Sequence, residues 1–328
     1  MIARPLPDAS LCVAPMMAWT DRHCRYLHRL FAPHALLFTE MVTAHALLHG
    51  DARKLLQYNP EEHPVALQLG GSEPDSLAAA ALLAADAGYD EINLNVGCPS
   101  DRVQRGRFGA CLMREPELVA RCLRAMQDAV QVPVTVKCRL GVDELDSDAE
   151  LSNFIGILRD AGLPRLYLHA RKAILSGLSP AQNRQIPPLQ YERVYTMAQQ
   201  FPSLPIVVNG GIACAEDAME HLTHVEGVMI GRAAYQNPTL LAELSTRLHK
   251  QGRPSPTAHQ VIELYRTYVV NQLADGVRLG DLCRPLLGVY HAVPGARQFR
   301  RILSNATRLR ANDPKLLDDA LNAVQQAA

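Results

Sequence analysis

The chain has 328 residues, enough for two domains or for one large barrel with an extension. Its hydrophobic fraction of 48% and charged fraction of 20% exclude a disordered chain, and no apolar run approaches the ~20 residues of a membrane-spanning helix. The net charge of zero conceals an asymmetry, because residues 1–245 carry 21 basic and 27 acidic side chains and residues 246–328 carry 12 and 6.

Eight short apolar runs follow one another through the first two thirds of the chain. They are residues 11–16, 35–41, 64–71, 91–97, 133–141, 165–170, 205–211 and 227–232. Such continuous runs are typical of strands that are buried on both faces. Helical patterns separate most of them; the one after the third run has Pro74 in its first turn and ends at Gly88, as helices favour. The pattern predicts an α/β protein with a (β/α)8 TIM barrel over residues 1–245; a doubly wound sheet, which usually has fewer units, is the alternative.

The pattern changes after residue 245. Residues 258–274 place their apolar side chains on one helical face, and residues 297–310 and 313–328 continue as helices, with Asp313 as the expected N-cap and Pro314 at the first helical position. We therefore predict a small all-helical domain over 250–328, joined to the barrel by residues 251–257. Its basic excess suggests a polyanionic partner, although ordinary solvated helix faces would give the same charges.

The cysteines suggest a reducing compartment. None of the eight belongs to a C-x-x-C pair, so neither a metal site nor a disulfide framework is expected. The first residues lack the layout of a signal peptide, and we expect a cytoplasmic protein without membrane attachment.

Polar residues and glycines gather where the predicted strands end, which is where barrels of this kind have their active sites. The candidates are the residues at or just after the ends of the eight runs, which include a few apolar ones: Pro15, Met16, Met17, Glu40, Gln68, Asn93, Asn95, Cys98, Lys137, Arg139, His169, Arg171, Asn209, Gly210, Gly211, Gly231 and Arg232. The glycines after the last two runs can bring backbone amides close to a phosphate. Gln68 and Lys137 suit the polar edge of a flat heterocycle, so the set favours a phosphate-tailed flavin.

These segments resemble a known family. VAPMMAWTDRHCR, TEMV, ALQLGG, YDEINLNVGCPSDRV, VTVKCRLG, LHARKA, NGGI and GVMIGR are similar to motifs of the tRNA-dihydrouridine synthases, and HARKAILSGLSPAQNRQIPPL and PGARQFRR resemble the A-type subfamily. The resemblance implies FMN in the barrel, NADPH as the reductant, and reduction of uridines 20 and 20a in the D-loop of tRNA to 5,6-dihydrouridine.

Roles for individual residues follow from the strand-end positions, from the helix face that Arg297 and Arg300 share, and from the resemblance. The expected FMN-binding residues are Pro15, Met16, Met17, Gln68, Lys137, His169, Asn209, Gly210, Gly211, Gly231 and Arg232. The expected tRNA-binding residues are Asn95, Asn183, Arg184, Arg297 and Arg300, with Asn95 orienting flavin or base. Cys98 matches the family's proton donor, and a thiol with pKa ~8.5 is mostly protonated at neutral pH. Cys111 is its nearest competitor, whereas Cys12, Cys122 and Cys138 are expected to be buried.

The expected partner is the D-loop and elbow region of tRNA. The long segment 171–187, the Arg-rich loop 102–107 and the arginines at 297 and 300 would contact the RNA, and the target base would have to leave its stack. We expect a monomer with no obligate protein partner. The roles of Arg139 and Glu40 stay open, and the C-terminal helices could instead form a dimer interface. The alternative functions are an FMN-dependent oxidoreductase of a free pyrimidine, such as dihydroorotate or dihydropyrimidine, and a non-catalytic tRNA-binding protein.

Overall fold

The strands close into one parallel barrel. A computed structural model describes residues 4–249 and 255–327, and within them the order is β1 to β8, with β8 pairing β1. The strands are β1 (Leu11–Val13), β2 (Leu36–Thr43), β3 (Val65–Gly70), β4 (Glu91–Val96), β5 (Val134–Arg139), β6 (Leu166–His169), β7 (Ile206–Asn209) and β8 (Gly227–Ile230). The predicted TIM barrel is confirmed, and the doubly wound sheet is wrong because that sheet does not close. Of the predicted linker 251–257, residues 251–254 lie outside the described residues.

The described residues form two compact units. The first comprises the described part of 1–17 together with 35–231, and it contains the whole barrel. Its helices are α2 (Ala44–His49), α3 (Ala52–Leu55), α4 (Pro74–Asp86), α5 (Asp101–Arg105), α6 (Pro116–Ala129), α7 (Asp148–Asp160), α8 (Tyr191–Gln200) and α9 (Ala215–His221). Local sequence sets their ends: α4 begins at Pro74 as expected, and α7 begins with a capping box between Ser147 and Glu150.

The second unit is helical throughout its described part and comprises 18–34 and the described part of 232–328. Its helices are α1 (Arg22–Phe31), α10 (Arg232–Gln236), α11 (Thr239–His249), α12 (Ala258–Ala274), α13 (Leu279–Cys283), α14 (Ala296–Leu303), α15 (Ala306–Arg310) and α16 (Lys315–Gln325). Helix α1 packs on α12, since the Tyr26 ring stacks on Tyr268 at 3.9 Å and His23 Nδ1 lies 2.6 Å from the Tyr268 hydroxyl. The expected barrel domain included α1, α10 and most of α11, and the boundaries 1–245 and 250–328 stay a prediction.

Two local findings refine the sequence patterns. Helix α12 has the predicted bounds, whereas α16 begins at Lys315, one residue later than expected, although the Asp313 carboxylate still accepts the Lys315 N–H at 3.1 Å. In the barrel, β2 has a register shift against β3 between Phe38 and Met41. No helix in the described ranges combines the length and apolar character that crossing a membrane requires.

The barrel interior has an apolar side and a polar side. Buried apolar side chains cluster around Phe38 and Tyr167, whose rings meet edge to face at 5.1 Å although they lie on β2 and β6. On β3 to β5, the inward positions instead hold buried polar residues, namely Gln68, Glu91, Asn93 and Thr135. This polar side leads upward to the carboxyl ends of the strands.

Candidate active site

Cys98 lies just beyond the carboxyl end of β4, in a loop that the strand itself holds. The Asn95 side-chain oxygen accepts the backbone N–H groups of Gly97 at 3.2 Å and Cys98 at 3.0 Å. The thiol is half-buried and donates to the Ser100 hydroxyl at 3.5 Å. The geometry therefore presents a partly accessible thiol on a fixed backbone at the barrel mouth.

Four other thiols of the barrel unit differ from Cys98. Cys12, Cys122 and Cys138 are buried, as predicted. Cys111 is half-buried, but its thiol donates to the Phe108 carbonyl at 3.1 Å, and desolvation raises its pKa. These contacts favour Cys98 over Cys111 as the accessible thiol.

Gln68 connects the expected flavin site to the Cys98 loop. Its side chain is only 1% exposed; it accepts a hydrogen bond from the Asn95 amide at 2.8 Å and donates one to Asn93 at 2.8 Å. Both neighbours project inward from β4, and the register pairs Gln68 directly with Asn93. The Gln68 amide is therefore held from two sides.

Lys137 and Asn209 meet across the barrel mouth. The Lys137 ammonium donates to the Asn209 side-chain oxygen at 2.8 Å, and the Asn209 amide donates to the Met229 carbonyl at 2.7 Å. Desolvation, followed by the charge of Arg139, lowers the pKa of Lys137 to about 7. The structure thus holds this amine near its midpoint at neutral pH, where it can bind an anionic group or a carbonyl edge.

His169 ends β6 and is neutral in this environment. Burial first, and then the cations Arg139, Lys137, Arg171 and Arg184, hold the pKa of His169 well below its ordinary value. A neutral imidazole has one donor and one acceptor nitrogen, so His169 can bind either type of partner group.

The two glycines after β7 are required by the chain itself. A Cβ on Gly210 would lie 2.5 Å from the His169 ring, and its φ of +115° belongs to a region that other residues rarely adopt. The Gly210 carbonyl accepts the Tyr191 hydroxyl at 2.6 Å, which fixes this loop. Tyr191 was missed in the sequence because its position near the start of α8 carries no motif.

Gly231, after β8, differs from Gly210. A Cβ there would come no closer than 4.0 Å to Ala14 or Met16, and its φ is not left-handed. Packing within the first unit thus does not demand a glycine, and the missing side chain leaves space beside a strand end. Such a space suits a ligand that approaches the backbone closely. The residues present at these strand ends fit a phosphate-tailed flavin.

The remaining expected cofactor residues lie at the ends of β1 and β8. Pro15 and Met16 are half-buried, and Met16 packs against the apolar cluster of the barrel interior. Met17 is 60% exposed. Arg232 is the first residue of α10 and belongs to the second unit.

Arg139, whose role the sequence left open, has a structural one. It is 4% exposed, and its guanidinium donates to the carbonyls of Gly97 at 2.9 Å and Asn183 at 3.1 Å. It therefore ties the Cys98 loop to the long segment after β6. Gln104, which sequence reasoning missed, adds a second tie through hydrogen bonds to Pro99 at 2.9 Å and Leu175 at 3.0 Å.

The segment 171–187 is organised from within. Asn183 is 0% exposed; its oxygen accepts the Ile174 N–H at 2.8 Å, and its amide donates back to the Ile174 carbonyl at 2.8 Å. These contacts favour a role in folding the segment over the expected direct contact with tRNA. The next residue, Arg184, is exposed, and its charge acts on His169 and Arg139.

Exposed arginines occur in both units. In the first, Arg102 and Arg105 lie in α5, just beyond Cys98, and Arg107 follows that helix. In the second, Arg297 and Arg300 are exposed on α14, whose Phe299 is buried. Within the described residues, none of these five arginines forms an ion pair. The same residues contain no cluster of three or more His, Cys, Asp or Glu side chains that could hold a metal ion.

Comparisons with known proteins agree over nearly the whole chain. A family model described as dihydrouridine synthase matches residues 12–326. A tRNA-dihydrouridine(20/20a) synthase of Vibrio vulnificus is 52% identical over 317 residues, which are 96% of this chain and 97% of that protein. Proteins of the same name from Vibrio cholerae and Synechocystis are 55% and 52% identical, over 90% and 95% of this chain and 90% and 94% of their own length.

Proposed function

The chain belongs to the dihydrouridine synthase family, and we propose that it reduces uridines 20 and 20a in the D-loop of tRNA to 5,6-dihydrouridine. It is a tRNA-modifying oxidoreductase. Reduction of a free pyrimidine is not favoured, because relatives that share about half of its residues along nearly their full length carry the tRNA-modifying name. A non-catalytic role would leave the ordered Cys98 loop and the Lys137–Asn209 pair without a purpose.

The observation that carries the proposal is the placement of the Cys98 thiol. It is half-buried at the barrel mouth and held by Asn95, which the Gln68 amide joins to the interior of the barrel. Saturating the C5–C6 bond of uracil requires a hydride on one carbon and a proton on the other, so the protein must place an acid against the base.

The residues at the strand ends would hold FMN. Gln68, Lys137, His169 and Asn209 offer donors and acceptors to a ring system, and the glycines at 210, 211 and 231 offer backbone amides to its phosphate. When bound and reduced by NADPH, FMN would supply the hydride. Lys137, whose pKa is about 7, supplies positive charge at the same mouth.

Cys98 is the proposed proton donor. Its thiol would deliver a proton to the carbon of the C5–C6 bond that does not receive the hydride. The backbone of Cys98 is held by Asn95, so the loop that carries the thiol already has a fixed place at the barrel mouth. Pre-positioning of this kind lowers the entropic part of the barrier.

The exposed arginines are the proposed contacts with RNA. Arg102, Arg105, Arg107 and Arg184 border the segments that carry or flank Cys98, where they would hold phosphates next to the target uridine. Arg297 and Arg300 of the second unit would bind phosphates of the same tRNA near its elbow. The uridine must leave its stack to reach the barrel mouth. The enzyme is proposed to act in the cytoplasm, as a monomer.

The decisive experiment compares substrates. Purified protein with FMN and NADPH is incubated with an unmodified tRNA transcript, with the same transcript carrying cytidine at positions 20 and 20a, and with free uridine. We expect dihydrouridine in the first transcript alone. Equal reduction of free uridine would support the free-pyrimidine reading instead. Reduction of the cytidine-substituted transcript would refute the assignment of positions.

A further inference from the structure

A continuous series of hydrogen bonds runs through the polar side of the barrel, from its floor to the Cys98 loop. The Thr135 hydroxyl donates to Glu91 at 2.6 Å, the Asn93 amide donates to Thr135 at 2.9 Å, and the Gln68 amide donates to Asn93 at 2.8 Å. The Asn95 amide then donates to Gln68 at 2.8 Å, and Asn95 accepts the N–H of Cys98. Each of the four side-chain links joins neighbouring strands among β3, β4 and β5, and the last hydrogen bond joins β4 to the loop that follows it.

The floor of the barrel fixes the direction of this series. Glu91 is fully buried, and its second oxygen accepts the Arg165 guanidinium at 3.2 Å and the Tyr167 hydroxyl at 3.1 Å. A carboxylate that is paired with arginine can only accept, so Thr135 must donate to it. Thr135 has one hydroxyl proton, and it therefore has only an acceptor left for Asn93.

The upper end fixes the same direction independently. The backbone N–H groups of Gly97 and Cys98 can only donate, so Asn95 must turn its oxygen toward them and its NH2 toward Gln68. Gln68 then accepts from Asn95 and donates to Asn93. Both ends of the series thus require the same direction from donor to acceptor. Each side-chain amide between them therefore has only one orientation in which all its hydrogen bonds form.

From this arrangement we infer that Glu91, Thr135 and Asn93 are positioning residues for the proposed reaction. They set the orientation of the Gln68 amide, and hence which of its groups can face the flavin, and through Asn95 they set the place of the Cys98 thiol. The inference rests on the proposed function. None of the three residues is assigned a contact with cofactor or RNA; they act through Gln68 and Asn95.

Stability alone does not account for this polar side. A buried ion pair is often no more stabilising than well-packed apolar residues of the same volume, and the opposite side of this barrel is packed with such residues. In addition, Arg165 leaves its Nε buried without a hydrogen-bond partner within the described residues. What the polar side provides is a fixed orientation for two side-chain amides.

The test replaces Thr135 by valine, which keeps the β-branched shape and removes the hydroxyl. The Asn93 amide then loses its acceptor and can flip. A flipped Asn93 would turn its NH2 toward the NH2 of Gln68, so the orientations of Gln68 and then Asn95 would no longer be fixed. In flavin-free protein we expect iodoacetamide to alkylate Cys98 about tenfold faster, within the range that one unsatisfied buried amide implies. FMN should bind about tenfold more weakly for the same reason. Half-buried Cys214, the N-cap residue of α9 after β7, takes no part in the series; it is the internal reference and should react as before.

Two control variants separate positioning from loss of stability. Thr135→Ser keeps a hydroxyl at this position, so the alkylation rate of Cys98 and the FMN affinity should both match the wild type. Val136→Ala lies on the same strand and removes buried volume without touching the series, so it should lower the melting temperature and leave Cys98 alkylation unchanged. Should Thr135→Val not fold, Asn93→Ala, which removes the amide without adding volume, breaks the next link and has the same expected result.

The outcomes are distinct. Wild-type rates in Thr135→Val, or equal effects in Thr135→Val and Val136→Ala, would overturn the inference. Because alkylation needs neither flavin nor tRNA, its result does not depend on the turnover assay. A wild-type enzyme that binds FMN yet fails to reduce tRNA would overturn the proposed function instead.

Discussion

The side-chain oxygen of Asn95 accepts the backbone N–H of Cys98 at 3.0 Å, so the last inward-facing residue of β4 fixes the thiol that follows the strand. A residue inside a strand is more rigidly placed than one in a loop, and this hydrogen bond extends that rigidity to the loop. Removing the thiol should therefore leave the loop and the rest of the site in place.

Cys98→Ala should keep FMN and its reduction by NADPH but lose tRNA reduction by roughly 10²–10⁴-fold, the usual contribution of a general acid. The measurement is single-turnover oxidation of the reduced flavin by tRNA. Cys111→Ala is the matched control, since its thiol already donates to the Phe108 carbonyl, and it should react at the wild-type rate. If Cys111→Ala were slow and Cys98→Ala reacted at the wild-type rate, Cys111 would be the proton donor.

Gly231→Ala and Gly210→Ala form a second matched pair. The added methyl group at 231 meets no atom of the first unit closer than 4.0 Å, so the melting temperature should not change, whereas FMN affinity should fall at least about tenfold if the phosphate approaches this backbone. At 210 the methyl group collides with His169 at 2.5 Å, and the φ of +115° disfavours alanine, so stability should fall as well. Unchanged FMN affinity in Gly231→Ala would place the phosphate elsewhere.

Lys137 gives a pH dependence whose sign can be derived. Its pKa is about 7 in the folded protein, against an ordinary value near 10.4 in the unfolded chain. Between these values the unfolded chain binds more protons, so this residue makes the folded state more stable as the pH rises through that window. Lys137→Met should remove this contribution, so urea unfolding of flavin-free protein at pH 7 and pH 9.5 should show a smaller gain with pH than the wild type. Equal gains would mean that Lys137 titrates normally.

Sequence patterns predicted the barrel because they are local. Eight apolar runs and the helices between them need only periodicity and end signals, and all eight strands lie within the predicted runs or extend them by two residues, as β2 does beyond residue 41. The strand-end residues could be identified for the same reason, because the fold places every strand end at one mouth.

Contacts between distant residues could not be predicted in this way. Helix α1 follows β1 in the sequence, yet its Tyr26 stacks on Tyr268, and no periodicity carries that information. Likewise, an asparagine in a long loop looks the same in sequence whether it contacts RNA or, like Asn183, bonds to the backbone around it. Thr135 also carries no motif, and its importance depends on having Glu91 on one side and Asn93 on the other.

The last prediction concerns the arginines of the second unit. Truncation after residue 245 is a poor test of RNA binding, because it removes α12 and leaves the packed face of α1 exposed. The double substitution Arg297→Ala with Arg300→Ala is better, since both side chains are exposed on one face of α14 and Phe299 between them keeps its buried place. It should raise the apparent KM for tRNA and leave NADPH oxidation by O2 nearly unchanged.

The matched control removes two charges from the same unit at ion-paired positions. Arg266 pairs with Asp318 at 2.9 Å, and Arg308 pairs with Asp319 at 2.6 Å. The double substitution Arg266→Ala with Arg308→Ala therefore gives the same change in net charge but removes no proposed phosphate contact. Each lost phosphate contact should flatten the plot of log affinity against log salt by roughly 0.7–0.9, values known for single- and double-stranded nucleic acid. We therefore expect a flatter line and weaker binding for the α14 double variant, and the wild-type slope for the control. If the two double variants shift the line equally, binding depends on net charge alone, and Arg297 and Arg300 do not contact the RNA.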